Sequence, residues 1–85
     1  MSATELYRIF QSKQRAYETL KDYRDRYEID AMFDERVAEN LKGLQQRADV
    51  EWKVFEAAHD ELRQSNPAEF ERYRDMLQGL ISPTT

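Results

Sequence analysis

Residues 31–64 read AMFDERVAENLKGLQQRADVEWKVFEAAHDELRQ, and this proline-free run decides the fold. Its central positions are Phe33, Val37, Leu41, Leu44, Ala48, Trp52, Phe55, His59 and Leu62, with a mean step of 3.6. That is the period of a nearly straight α-helix with one buried face. Gly43 weakens the run by about 1 kcal/mol relative to alanine without forcing a break. From Val50 onward a second apolar strip appears, made of Val50, Val54, Ala57 and Ala58. At about 100° per residue it lies well round from Phe55, so this half of the helix is expected to need two neighbours.

The preceding segment supplies the first neighbour. Ser2-Ala3-Thr4-Glu5 has capping-box spacing, with Ser2 as N-cap and Glu5 reaching back to its amide. Leu6, Ile9, Lys13, Ala16, Leu20, Tyr23 and Tyr27 then follow with a mean step of 3.5, the period of a seam between two coiling helices. Phe10 and Tyr17 widen the stripe. The helix is expected over residues 3–28. No glycine or proline marks its end; a break at Ile29-Asp30, with Asp30 available to cap the next helix, lets the chain fold back. The alternative is one rod of more than sixty residues that buries its seam only by oligomerising.

The second neighbour opens with the clearest local signal in the chain. Asn66 suits an N-cap, Pro67 the first helical position, and Glu69 completes a box-like spacing. Phe70, Tyr73, Leu77 and Leu80 form one apolar face. Gly79 can end the helix in a left-handed conformation, and Pro83 prevents its resumption. The expected fold is therefore all-α: an antiparallel, coiled-coil-like hairpin with a short third helix on one end. The helices span about 3–28, 31–64 and 67–79, within one domain over residues 1–85 with a frayed tail at 82–85.

Composition agrees and narrows the function. With 40% apolar and 35% charged residues, an 85-residue chain builds a thin core under a charged surface. A net charge of −4 with no basic block argues against direct nucleic-acid contact. No apolar run approaches the roughly eighteen residues of a membrane span, and the N-terminus lacks a signal-peptide pattern. The absence of cysteine rules out disulfides and thiolate metal sites. A cytoplasmic protein is the default reading. No cysteine nucleophile, glycine-rich phosphate loop or second histidine is present, so no catalytic residue and no cofactor are expected.

Three features carry the functional reading. Tyr23, Tyr27, Ile29, Met32, Phe33 and Val37 gather at a tip that no third helix covers, the expected contact surface for a second copy or a larger protein partner. Lys13 interrupts the first helix's apolar stripe opposite Glu51; it either pairs with that carboxylate or runs its methylenes over the seam and snorkels to water. Glu56-Ala57-Ala58-His59 has the Glu-x-x-His spacing of half a di-iron site. Two long helices, a short third and one such motif per chain resemble encapsulated ferritin-like proteins. That resemblance implies a metal site between chains, with Glu5, Glu56 and His59 as ligands. Val54-Phe55-Glu56-Ala57-Ala58-His59-Asp60-Glu61-Leu62-Arg63 resembles a helix of the haemolysin-expression modulators, which bind a nucleoid-structuring protein.

The first expectation is a non-enzymatic helical interaction module: a subunit, adaptor, chaperone-like or inhibitor protein, self-associating as a dimer through the hairpin or docking on a larger partner. The alternatives are the inter-chain metal site and a regulator acting on transcription through a protein partner.

Overall fold

Ser2 opens the first helix with its backbone extended and its hydroxyl accepting the Glu5 amide at 3.2 Å. The computed structural model describes residues 1–83 and contains three helices: α1 (Ala3–Ala31), α2 (Glu35–Ser65) and α3 (Pro67–Leu77). α1 and α2 pack along each other as an antiparallel hairpin, and α3 packs on both at one end. The molecule is long and thin, 51 × 22 × 15 Å. The continuous-rod alternative is excluded, because the chain folds back.

It folds back later than the sequence suggests. α1 continues through Ile29 and Asp30 to Ala31, and the turn occupies Met32, Phe33 and Asp34. The amides of Phe33 and Asp34 both donate to the Asp30 carbonyl, tightening the last turn. Asp34, not Asp30, caps α2, accepting the Arg36 amide at 2.9 Å. Both aspartates had suitable chemistry. Without a glycine or proline between them, helix propensity carries α1 through the first to the second. Phe33 therefore sits in the turn rather than on the seam of α2.

Asn66 serves two helices. Its amide donates to the Leu62 carbonyl at the end of α2, and its side chain accepts the Glu69 amide at the start of α3. At the far end of α3 the Leu80 amide reaches the Asp75 carbonyl and the Gly79 amide reaches that of Met76. This is a Schellman closure, and Gly79 adopts the φ of +74° that it requires. α3 ends at Leu77, two residues short of the expected boundary. Of the tail at 82–85, Thr84 and Thr85 lie outside the described residues.

The core has two parts. At the closed end, Ala3, Leu6, Ala58, Leu62, Tyr73 and Met76 form a buried cluster, flanked by Tyr7, Ile9, Phe10, Phe55 and Phe70. Along the arm the cluster shrinks to Ala16, Leu20 and Ala48, with Leu41 and Leu44 beside it. The second strip on α2 is only partly covered: Ala58 is buried, but Val50 remains 59% exposed, Val54 48%, and Ala57 is open to solvent. α3 takes the side marked by His59, whose ring meets Phe70 and Tyr73. Val54 lies five residues earlier, about 140° round the helix axis at 100° per residue. An eleven-residue helix on one side cannot also cover the other.

Among the described residues the arginine–carboxylate ion pairs are Arg63–Asp60, Arg72–Glu69 and Arg74–Glu71, all spaced i,i+3 and all near the closed end. The Lys21–Arg26 run of α1 forms none. Such exposed pairs contribute little.

Candidate functional site

The tip predicted from sequence exists, but its members do different things. Tyr23 and Tyr27, one turn apart on α1, bring their rings to a centroid distance of 4.7 Å on the helix surface. Val37 lies half-buried in the first turns of α2. Ile29 and Met32 are each 72% exposed and Phe33 is 86% exposed. Three large apolar side chains within five residues thus meet water at the turn, where two helix ends offer no face broad enough to cover them. The tip is an apolar knob with a tyrosine pair behind it on α1.

Lys13 is resolved in neither of the ways the sequence suggested. Only 9% of the residue is exposed, yet among the described residues no carboxylate reaches its ammonium; Glu51 is not its partner. The Nζ atom instead lies 4.3 Å from the ring centroid of Phe55, 4.7 Å from that of Trp52 and 5.0 Å from that of Phe10. One turn separates Lys13 from Phe10 on α1, and three residues separate Trp52 from Phe55 on α2, so helix periodicity assembles the enclosure. The ring faces attract the cation while excluding the water that would solvate it. Burial accordingly pushes the Lys13 pKa down.

Toward the tip, the same side of the hairpin carries a groove lined by Gln14, Tyr17, Glu18, Leu20, Lys21, Arg24 and Gln45. Arg24 crosses it, its guanidinium donating to the Gln45 side chain at 3.0 Å, and Gln45 in turn donates to Asp49 at 3.1 Å. Sequence reading missed this groove. Its signal was present, since Tyr17, Leu20 and Arg24 fall at i, i+3 and i+7 and so share one stripe.

At the closed end, Glu69 has a role that sequence spacing misassigned. Its carboxylate accepts the Ala3 amide at 2.8 Å and the Arg72 guanidinium at 2.9 Å. It thereby caps α1 from α3, satisfying one of the orphan amides that begin every helix. The reciprocal bond expected from Glu5 to Ser2 does not form. The Ala3 amide and, after it, the Arg72 guanidinium hold the Glu69 carboxyl below its ordinary pKa of 4.5. Nearby, burial pushes the Tyr73 phenol up to about 12, with Tyr7 adding to the effect, so it stays protonated.

The metal alternative rests on Glu5, Glu56 and His59. Glu5 is exposed near the start of α1 and Glu56 is exposed on α2. The His59 ring packs edge-on against Phe70 at 4.9 Å and lies 5.5 Å from Phe55, with Nδ1 3.5 Å from Asp60. It is part of the seam between α2 and α3. Among the described residues no three histidine, cysteine, aspartate or glutamate side chains gather as a metal-binding group, so such a site would draw ligands from a second chain. Among the same residues no helix is long and apolar enough to cross a membrane. No protein-family model, curated protein or solved structure matches this chain, and its site is read from its own geometry.

Proposed function

We propose that the protein is a non-enzymatic interaction module that self-associates as a dimer through the tip of its hairpin. The observation that carries this reading is the exposure of Ile29, Met32 and Phe33 together at the turn. Large apolar residues clustered this way are costly to leave in water, and removing them from it favours association. The size of the patch constrains the geometry. Three side chains meeting head-on fall well short of the roughly 1,200 Å² that a stable interface buries. The tips therefore overlap lengthwise, so that Tyr23 and Tyr27 of each chain join the contact. Such an arrangement is isologous, one patch meeting its own copy.

Light scattering across a range of concentrations tests the proposal on the wild type, Phe33→Glu and Tyr27→Glu/Phe33→Glu. The wild type should weigh more than a monomer and the double variant should be monomeric, with unchanged helix content by circular dichroism. A wild-type monomer throughout the range would sink self-association. Neither inter-chain metal binding nor action on transcription through a partner gains support beyond the short sequence stretches that suggested it.

A further inference from the structure

Beside the tyrosine pair, α1 carries a groove of about 240 Å³ lined by Thr19, Asp22, Tyr23, Arg26 and Tyr27. Its one carboxylate and one guanidinium balance, so the lining selects neither an anion nor a cation. What it offers is the edge of two tyrosine rings whose centroids lie 4.7 Å apart. A cavity of about 150 Å³ holds a benzene ring. The groove therefore has room for one large apolar side chain and none for a helix.

The same chain carries such a side chain on its turn. Phe33 is 86% exposed. It lies ten residues beyond Tyr23, about 15 Å at the rise of a helix. Two copies related by a two-fold axis at the level of residue 28 thus set each Phe33 at the other's groove. Thr19, Tyr23, Arg26 and Asp30 follow one another at steps of four, three and four, so they share the groove's face. Arg26 and Asp30 stand two residues either side of the axis, and the two-fold brings Arg26 of each copy level with Asp30 of the other. Among the described residues neither forms an ion pair within its own chain. Asp22 comes level with Asp34, but that carboxylate is held on the Arg36 amide as the cap of α2. Glu28, at the axis, is five residues from Tyr23 and so about 140° round the helix, off this face.

We propose that the groove is the seat of Phe33 from a second copy, with Arg26 and Asp30 pairing across the two-fold on either side of the axis. The inference rests on self-association through the tip and specifies its register. Each copy supplies both the ring and the groove that receives it, so the contact is made twice. Seating both rings along about 15 Å of overlap extends the contact beyond the three tip side chains, which meeting head-on bury too little for a stable dimer. The crossed Arg26–Asp30 pairs then select this register over slipped ones, which set like charges opposite one another.

Sedimentation and light scattering of the full chain across concentration test the register. Thr19→Trp fills the groove from an exposed position and leaves the tip intact. It should be monomeric at concentrations where the wild type is a dimer, with the same helix content by circular dichroism. Arg26→Glu and Asp30→Arg each set like charges face to face twice per dimer, and each alone should associate about tenfold more weakly than the wild type. Mixed together, the two variants should form a heterodimer about as tight as the wild-type dimer, because both crossed pairs are then opposite in charge. Damage to the fold of either chain would not be repaired by mixing. A Thr19→Trp dimer as tight as the wild type, or a mixture no tighter than its parts, would overturn this register and leave tip association standing. A wild-type monomer throughout would overturn both.

Discussion

The two ends of this hairpin solve the same problem with different means. At the closed end three helices enclose Leu6, Leu62 and Tyr73 almost completely, and α3 adds a cap for α1 through Glu69. Along the arm two helices alone enclose Ala16, Leu20 and Ala48, and at the turn nothing covers Phe33. Two helices share only a line of contact, so small residues must let them approach closely and any large one spills to the side. Three helices share a volume and can seal aromatic rings. Stability is therefore concentrated at one end and exposed apolar surface at the other.

Substitutions at each end sharpen that contrast, beginning with the largest effect. Leu62→Ala opens a cavity in the sealed cluster and should cost about 2–5 kcal/mol, read as a lower denaturant midpoint. A loss under about 1 kcal/mol would mean the closed end collapses around the gap and is not the stability centre. In the arm, Gly43 sits within α2 with open space where a Cβ would go. Gly43→Ala should raise stability by about 0.5–1 kcal/mol and slow amide hydrogen exchange mainly in the surrounding turns of α2. Exchange slowed equally at the closed end would show that the two halves open as one unit.

Glu69→Gln addresses the cap that links the ends of α1 and α3. The folded state holds this carboxyl below 4.5, so its charge stabilises the fold above that pH. The contribution is lost as pH falls from 4.5 through the lower, folded-state value. Melting curves of wild type and variant should thus differ at neutral pH and converge in acid; a pH-independent difference would leave the charge without a role. Phe33→Glu is expected to have the smallest effect on stability, within about 0.5 kcal/mol, because the residue touches so little of its own chain. Its consequence should appear in the solution mass instead.

Much of this was legible locally. Ser2, Asn66, Pro67 and Gly79 acted at the helix ends their chemistry suits, because caps are short-range hydrogen bonds among near neighbours. The position of the turn was less legible, since Asp30 and Asp34 are equally able caps and only continuation of α1 chose between them. The tip residues were found as a group, but Phe33 was assigned to a helix face when it lies in the turn. Lys13 was recognised as anomalous, yet its surroundings are Phe10 from its own helix and Trp52 and Phe55 from about forty residues away.

The sequence by itself determined three helices, their order and the bare tip, because periodicity, capping and length act within a few turns of chain. Tertiary structure decided which side of the hairpin α3 occupies, and with it three outcomes: Val50 and Val54 left in water, Glu69 set on an amide sixty-six residues away, and a groove beside Leu20 left open beyond α3. The reason is physical. A helix can present an apolar stripe by its own spacing, but which stripe is buried depends on the neighbour's length and direction, and those are settled only when the helices meet.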